Sequence, residues 1–87
     1  MNIKYHKRFE KQFKKLLGKE KERVLRAIGK FIDNPKDPIL QNHSLKGVLS
    51  GKSAISAGSD LRIIFEEFDD YTLVIFLDLG KHNRVYK

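Results

Sequence analysis

The chain has 87 residues, 33% of them charged, with a formal net charge of +7 and no cysteine. This length specifies a single domain, 1–87, with one modest core, and the lack of cysteine excludes disulfides and thiolate metal sites. No apolar run approaches the roughly 20 residues of a membrane span, and MNIKYHKRFEKQF has no signal-peptide apolar stretch, so a cytoplasmic protein is expected.

Asn2–Tyr5 alternates apolar and polar residues and reads as a short edge strand. From His6 to Leu17 the apolar positions are Phe9, Phe13, Leu16 and Leu17, a helix with one buried face, and Gly18 fits the position that ends it. A second helix carries Val24, Leu25, Ile28, Phe31 and Ile32 and stops at Asn34-Pro35. So short a connection predicts an antiparallel helical hairpin. Residues 1 to 32 hold eleven Lys and Arg against three Glu, while residues 33 to 87 are nearly balanced. Such a basic half suits a polyanionic partner, nucleic acid first.

PKDPILQNHSLKG (35–47) reads as a loop, after which the period changes to that of strands. KSAISA (52–57) is a weak strand, with Gly58-Ser59 as a turn. DLRIIFEE (60–67) sets Leu61, Ile63 and Phe65 on one face and Arg62, Ile64 and Glu66 on the other. FDDY turns into YTLVIFLDL, apolar on both faces and therefore central. A short final strand is expected at Arg84–Tyr86. The class is α+β, in the order β-α-α-β-β-β: a short strand and a helical hairpin on one face of a mostly antiparallel sheet. The chain then has nothing left to cover the other sheet face, which becomes the place to look for function.

Three dispersed histidines, His6, His43 and His82, show no HxxxH or HxH spacing, so no metal and no cofactor is expected. GVLSGKS lacks the spacing and the strand-loop-helix context of a phosphate loop. What remains is a constellation. Arg62 projects from the face opposite Leu61, Ile63 and Phe65, with Asp60 at the strand entrance. The last strand delivers GKHNRVYK, with Lys81, His82, Arg84, Tyr86 and Lys87, beside it, and His43, Lys46 and Lys52 precede or open the first hairpin strand. Arginine and lysine hold phosphate and neutralise charge developing on it. Imidazole exchanges protons near neutral pH, and tyrosine stacks on a base or bonds to phosphate. Together these residues can cleave a phosphodiester without metal. The plainer readings are a solvated arginine, surface histidines, a turn aspartate and a tyrosine capping the core edge.

The segment HSLKGVLSGKSAISAGSDLRIIFEEFDDYTLVIFLDLGKHNRVY resembles the RelE/ParE superfamily of toxins, and within it the RelE-like and YafQ-like mRNA interferases. The likeness rests on His43-x-Leu45-x-Gly47, Gly51-Lys52-Ser53, Asp60-Leu61-Arg62-Ile63-Ile64-Phe65, Gly80-Lys81-His82 and Val85-Tyr86 in that order. It implies the toxin of a toxin-antitoxin module: a ribosome-dependent endoribonuclease that cuts mRNA by 2′-hydroxyl attack and leaves a cyclic phosphate. It further implies a small, acidic, partly disordered antitoxin partner. By the same resemblance His82 is the general acid/base, Arg62 stabilises the pentacoordinate phosphate, and Tyr86 positions the nucleotide. His43 and Asp60 fall at further acid-base positions, and Lys52 near phosphate-binding ones. The chain departs from the pattern at Ala57, where a second histidine is expected, and at Asp78, where an arginine is expected. Two other functions fit the same fold: a ParE-like inhibitor of DNA gyrase, and a non-catalytic RNA- or ribosome-binding module working through Lys11, Lys14 and Lys15.

Overall fold

The computed structural model describes residues 1–86. Its elements are β1 (Asn2–Tyr5), α1 (Lys7–Lys15), α2 (Gly18–Asp33), β2 (His43–Ser44), β3 (Ser53–Ser56), β4 (Leu61–Phe68), β5 (Leu73–Lys81) and α3 (His82–Val85), with 3-10 turns at Pro38–Leu40 and Gly47–Leu49. They form one five-stranded sheet in the order β1-β5-β4-β3-β2. Its strands pair antiparallel except β1, which runs parallel to β5. The expected α+β architecture is therefore present; β5 is an interior strand between β1 and β4, and β4 stands at the middle of the sheet. No helix among the described residues is long and apolar enough to cross a membrane.

Local chemistry sets the helix ends. His6 caps α1 by accepting the Arg8 N–H at its Nδ1 (3.0 Å). Glu20 reaches back to accept the Leu17 N–H (3.1 Å), which starts α2 at Gly18. Gly18 thus opens the second helix instead of closing the first, because Leu16 already ends α1 through its N–H to Phe13 (3.1 Å).

The core lies between the helices and one sheet face. Phe9, Val24, Ala27, Ile28 and Phe31 from α1 and α2 meet Ile55, Leu61, Ile63, Phe65, Val74, Phe76 and Leu79. Phe31, Phe65 and Phe76 are fully buried, with ring centroids 4.9 to 6.4 Å apart. A β-bulge between Ile64 and Phe65 shifts the register, so that Ile64 faces Asp78 but Phe65 faces Phe76. Phe76 and Leu79, three residues apart, thereby both reach the core although a regular strand alternates faces.

Three expectations change at the far face. Residues 35–47 are not all loop, since His43 and Ser44 pair with Ala54 and Ser53 as an added edge strand. Arg84–Tyr86 is no strand: the chain turns after Lys81 and folds back as α3. The reason is burial, because Val85, 6% exposed, joins Ala54 and Ile64 in a second small cluster with Leu45, Leu77 and Tyr86. Hence the far face is partly covered by the chain's own last turn, not left open.

Candidate functional site

Two cross-strand rows define this second face: His43, Ala54, Ile64 and Asp78, and beside it Ser56, Arg62 and Gly80. The chain reverses over them at His82, whose N–H donates to the Asp60 carbonyl (2.8 Å). Val85 then anchors α3, and Tyr86 falls between the two histidines. Its ring centroid lies 4.5 Å from His82, edge-on, and 6.4 Å from His43. His82, His43, Tyr86 and Arg62, separated by up to 43 positions in the sequence, are thus brought to one face.

Arg62 is held before any ligand arrives. Its Nη1 donates to the carbonyls of Leu61 (2.8 Å) and Ser59 (3.1 Å) and to Ser56 Oγ (3.4 Å). Those bonds fix the guanidinium against the β3–β4 turn and leave the Nε and Nη2 protons for an anion. His43 has a determined tautomer when neutral. Its Nδ1 lies 2.8 Å from the Gln41 carbonyl, which can only accept, so the proton sits on Nδ1 and Nε2 keeps a lone pair.

Tyr86 is the polar anomaly. Its hydroxyl is buried and meets no hydrogen-bond partner among the described residues, a costly arrangement in a folded chain. Burial pushes its pKa above the ordinary value, while the charge of Arg62 pulls the other way. A phenol with a raised folded pKa contributes stability below its unfolded pKa of roughly 10 that is lost as pH rises through the folded value. Tyr86→Phe should therefore hold or raise the melting temperature at neutral pH and flatten its alkaline decline, a difference that paired pH-dependent melts would reveal.

The remaining basic residues divide. Arg84 is ion-paired: its Nη2 donates to Asp78 Oδ1 (3.0 Å) and to the Leu79 carbonyl. The guanidinium crosses over Gly80 and leaves no room there for a Cβ, which would meet Arg84 Nη2. Asp78, the departure noted in the sequence, is thus the anchor that ties α3 back to β5. Gly80→Ala should expel Arg84 and lower the melting temperature by several degrees, since a partly exposed pair is worth up to about 1 kcal/mol; differential scanning fluorimetry would show it.

Lys52 lines a cleft of about 340 Å³ beside α3, together with His6, Arg8, Asp78, Arg84 and Val85. In the sequence His6 and Arg8 read as surface residues at a helix start; the β1–α1 turn is what brings them to this cleft. Lys46 and Lys81 are exposed, as is the Asp60 side chain, whose residue enters through its carbonyl. Ala57 points into the main core, leaving no second histidine on that strand. Lys87 lies outside the described residues. No group of three or more His, Cys, Asp or Glu gathers as a metal site among the described residues.

By sequence the chain matches no family model and no curated protein. Solved structures do match. YafQ from E. coli superposes with a TM-score of 0.79 at 20% identity, over 99% of this chain and 98% of that one. A YoeB/ParE toxin from Agrobacterium tumefaciens gives 0.77 at 12% identity, over 94% and 99%. RelE in the archaeal RelE–RelB complex from Pyrococcus horikoshii gives 0.74 at 21%, over 95% and 96%. The fold is that of the RelE/ParE toxins, and it spans the whole domain.

Proposed function

We propose that the protein is the toxin of a toxin-antitoxin module and a metal-independent endoribonuclease that cuts mRNA on the ribosome in the cytoplasm. The observation that carries this reading is the buried, unpartnered Tyr86 hydroxyl set between His82 and His43 near the pre-bonded Arg62. The likeness to YafQ and RelE structures supports it.

The chemistry follows from these groups. His43 Nε2 takes the proton of a ribose 2′-hydroxyl, whose oxygen attacks the adjacent phosphorus. The free guanidinium protons of Arg62 bond to the phosphoryl oxygens as negative charge builds on them. His82 gives a proton to the departing 5′-oxygen, which leaves as a 5′-hydroxyl behind a 2′,3′-cyclic phosphate. Tyr86, once its ring swings out from its buried position, donates its hydroxyl to the phosphate and gains the partner it lacks, and Asp60 holds the start of α3. Lys46, Lys52 and Lys81 surround the path of the RNA backbone, and Arg84 acts mainly by holding α3. The partner is a small acidic antitoxin, partly disordered until bound. Exposed Leu17, Leu25 and Ile32, set among the lysines and arginines of α2, suit its amphipathic segment.

The test is the chemistry of the ends. Messenger RNA cut in a reconstituted translation reaction should carry 5′-hydroxyls that polynucleotide kinase labels directly, and 3′ ends blocked until the cyclic phosphate is removed. Fragments with 5′-phosphates would refute 2′-hydroxyl attack. A ParE-like protein would instead leave RNA intact and stall DNA gyrase.

A further inference from the structure

We infer that a second groove, on the α2 side of the β3–β4 turn, binds the backbone phosphates of single-stranded RNA running on from Arg62. It has a volume of about 270 Å³. Arg23, Arg26 and Lys30 line it from α2, opposite Ser56, Ala57 and Gly58. This rests on the nuclease reading above and extends its substrate path beyond the scissile phosphate.

Several observations converge. Arg23, Arg26 and Lys30 stand at i, i+3 and i+7, so one helix face presents all three along about 10 Å of axis. None is ion-paired among the described residues, where the only salt bridge joins Arg84 to Asp78. Three unpaired cations on one wall repel each other, an arrangement that an anion relieves.

The opposite wall is shaped for close approach. Gly58 is left-handed at φ +88°, and a Cβ there would stand 3.4 Å from Arg23 Cδ, so the stem of Arg23 lies against the turn. Ser56 links groove and site, since the residue lines the one while its Oγ accepts from Arg62 Nη1 (3.4 Å) in the other. A chain of phosphates held at Arg62 can continue past Ser56 onto Arg23 and Arg26, whose planar forks match phosphate oxygens two at a time. The apolar floor, Ala27, Leu40 and Ala57, suits a ribose or base edge between phosphates. An acidic peptide also matches the charge. Continuity with Arg62 favours RNA.

The experiment measures fluorescence anisotropy of a short 2′-O-methyl RNA, which resists 2′-hydroxyl attack, against salt concentration. The proteins are wild type, Arg23→Glu/Arg26→Glu/Lys30→Glu, and Lys7→Glu/Lys11→Glu/Lys15→Glu, an equal charge reversal on the exposed face of α1. The groove variant should lose at least ~10-fold more affinity than the α1 variant. Its slope of log K against log salt should shrink by about 2, near 0.7 per lost single-strand contact. Arg23→Gln/Arg26→Gln, a milder change, repeats the comparison if melting shows the triple variant unfolded. Equal losses in groove and α1 variants would overturn the groove. So would a Glu-rich peptide whose binding is lost in the groove variant while RNA binding is kept. Cleavage by wild type, scored separately, tells the failures apart. Specific RNA binding without cleavage keeps the groove and sinks the nuclease; cleavage untouched by the groove variant does the reverse.

Discussion

His82→Ala is expected to slow RNA cleavage by at least ~100-fold, the lower end of what a positioned acid or base contributes, while leaving the fold intact. His82 is exposed, and its structural tie to Asp60 runs through the backbone N–H, which alanine retains. The melting temperature should therefore stay within about 2 °C, as surface substitutions away from packing features usually allow. Arg62→Ala should cost a similar factor, because it removes the prepared donors at the phosphate. The two losses should not multiply in the double variant, since both groups serve one transition state. Single-turnover rates with the four proteins would measure this directly. A His82→Ala protein as fast as wild type would remove His82 from the chemistry, and losses that multiply in full would mean that the two groups act independently.

The largest stability effect is expected at Phe76. It is fully buried at the centre of β5, and its ring meets those of Tyr5, Phe9 and Phe31, each 5.6 Å away, and Phe65 at 6.4 Å. These partners come from β1, α1, α2 and β4, so one side chain joins four elements. Alanine there removes the ring and leaves a cavity that four separate elements cannot all close, a loss of about 3–5 kcal/mol. Against a typical stability of about 5–15 kcal/mol, that predicts a fall in melting temperature of roughly 15 °C or more. Phe68→Ala is the control: Phe68 is 43% exposed at the end of β4, and its loss should cost less than about 1 kcal/mol. Urea melts of both variants would check the contrast, and equal losses would contradict the core described here.

What the sequence reveals and what it hides follow a physical line. The spacing of Phe9 and Phe13, and the alternation of Leu61, Ile63 and Phe65, are local consequences of helix and strand geometry. They identify α1 and β4 without knowledge of their neighbours. The last turn is different. His82–Val85 is too short to show a period, and its one buried residue, Val85, joins a cluster whose other buried members, Ala54 and Ile64, stand over 20 positions earlier. The Asp78–Arg84 pair is hidden likewise, because residues six apart in an extended strand lie roughly 20 Å from each other, and only the reversal after Lys81 brings them together. Gly80 was the available signal, as a glycine in a strand often marks close approach of another group. The candidate site was legible as residue types near strand ends, but not as a geometry. That Tyr86 stands between two histidines depends on α3, which the alternation of β5 gives no reason to expect.

Mapping RNA 5′ ends in a reconstituted translation reaction, with the wild-type protein and with ribosomes present or omitted, tests the central claim most directly. Cuts confined to translated messenger RNA, appearing only with ribosomes and lost with His82→Ala, are the predicted result. Translation arrested with every message intact would contradict it, and would make the face around Tyr86 a binding surface without chemistry.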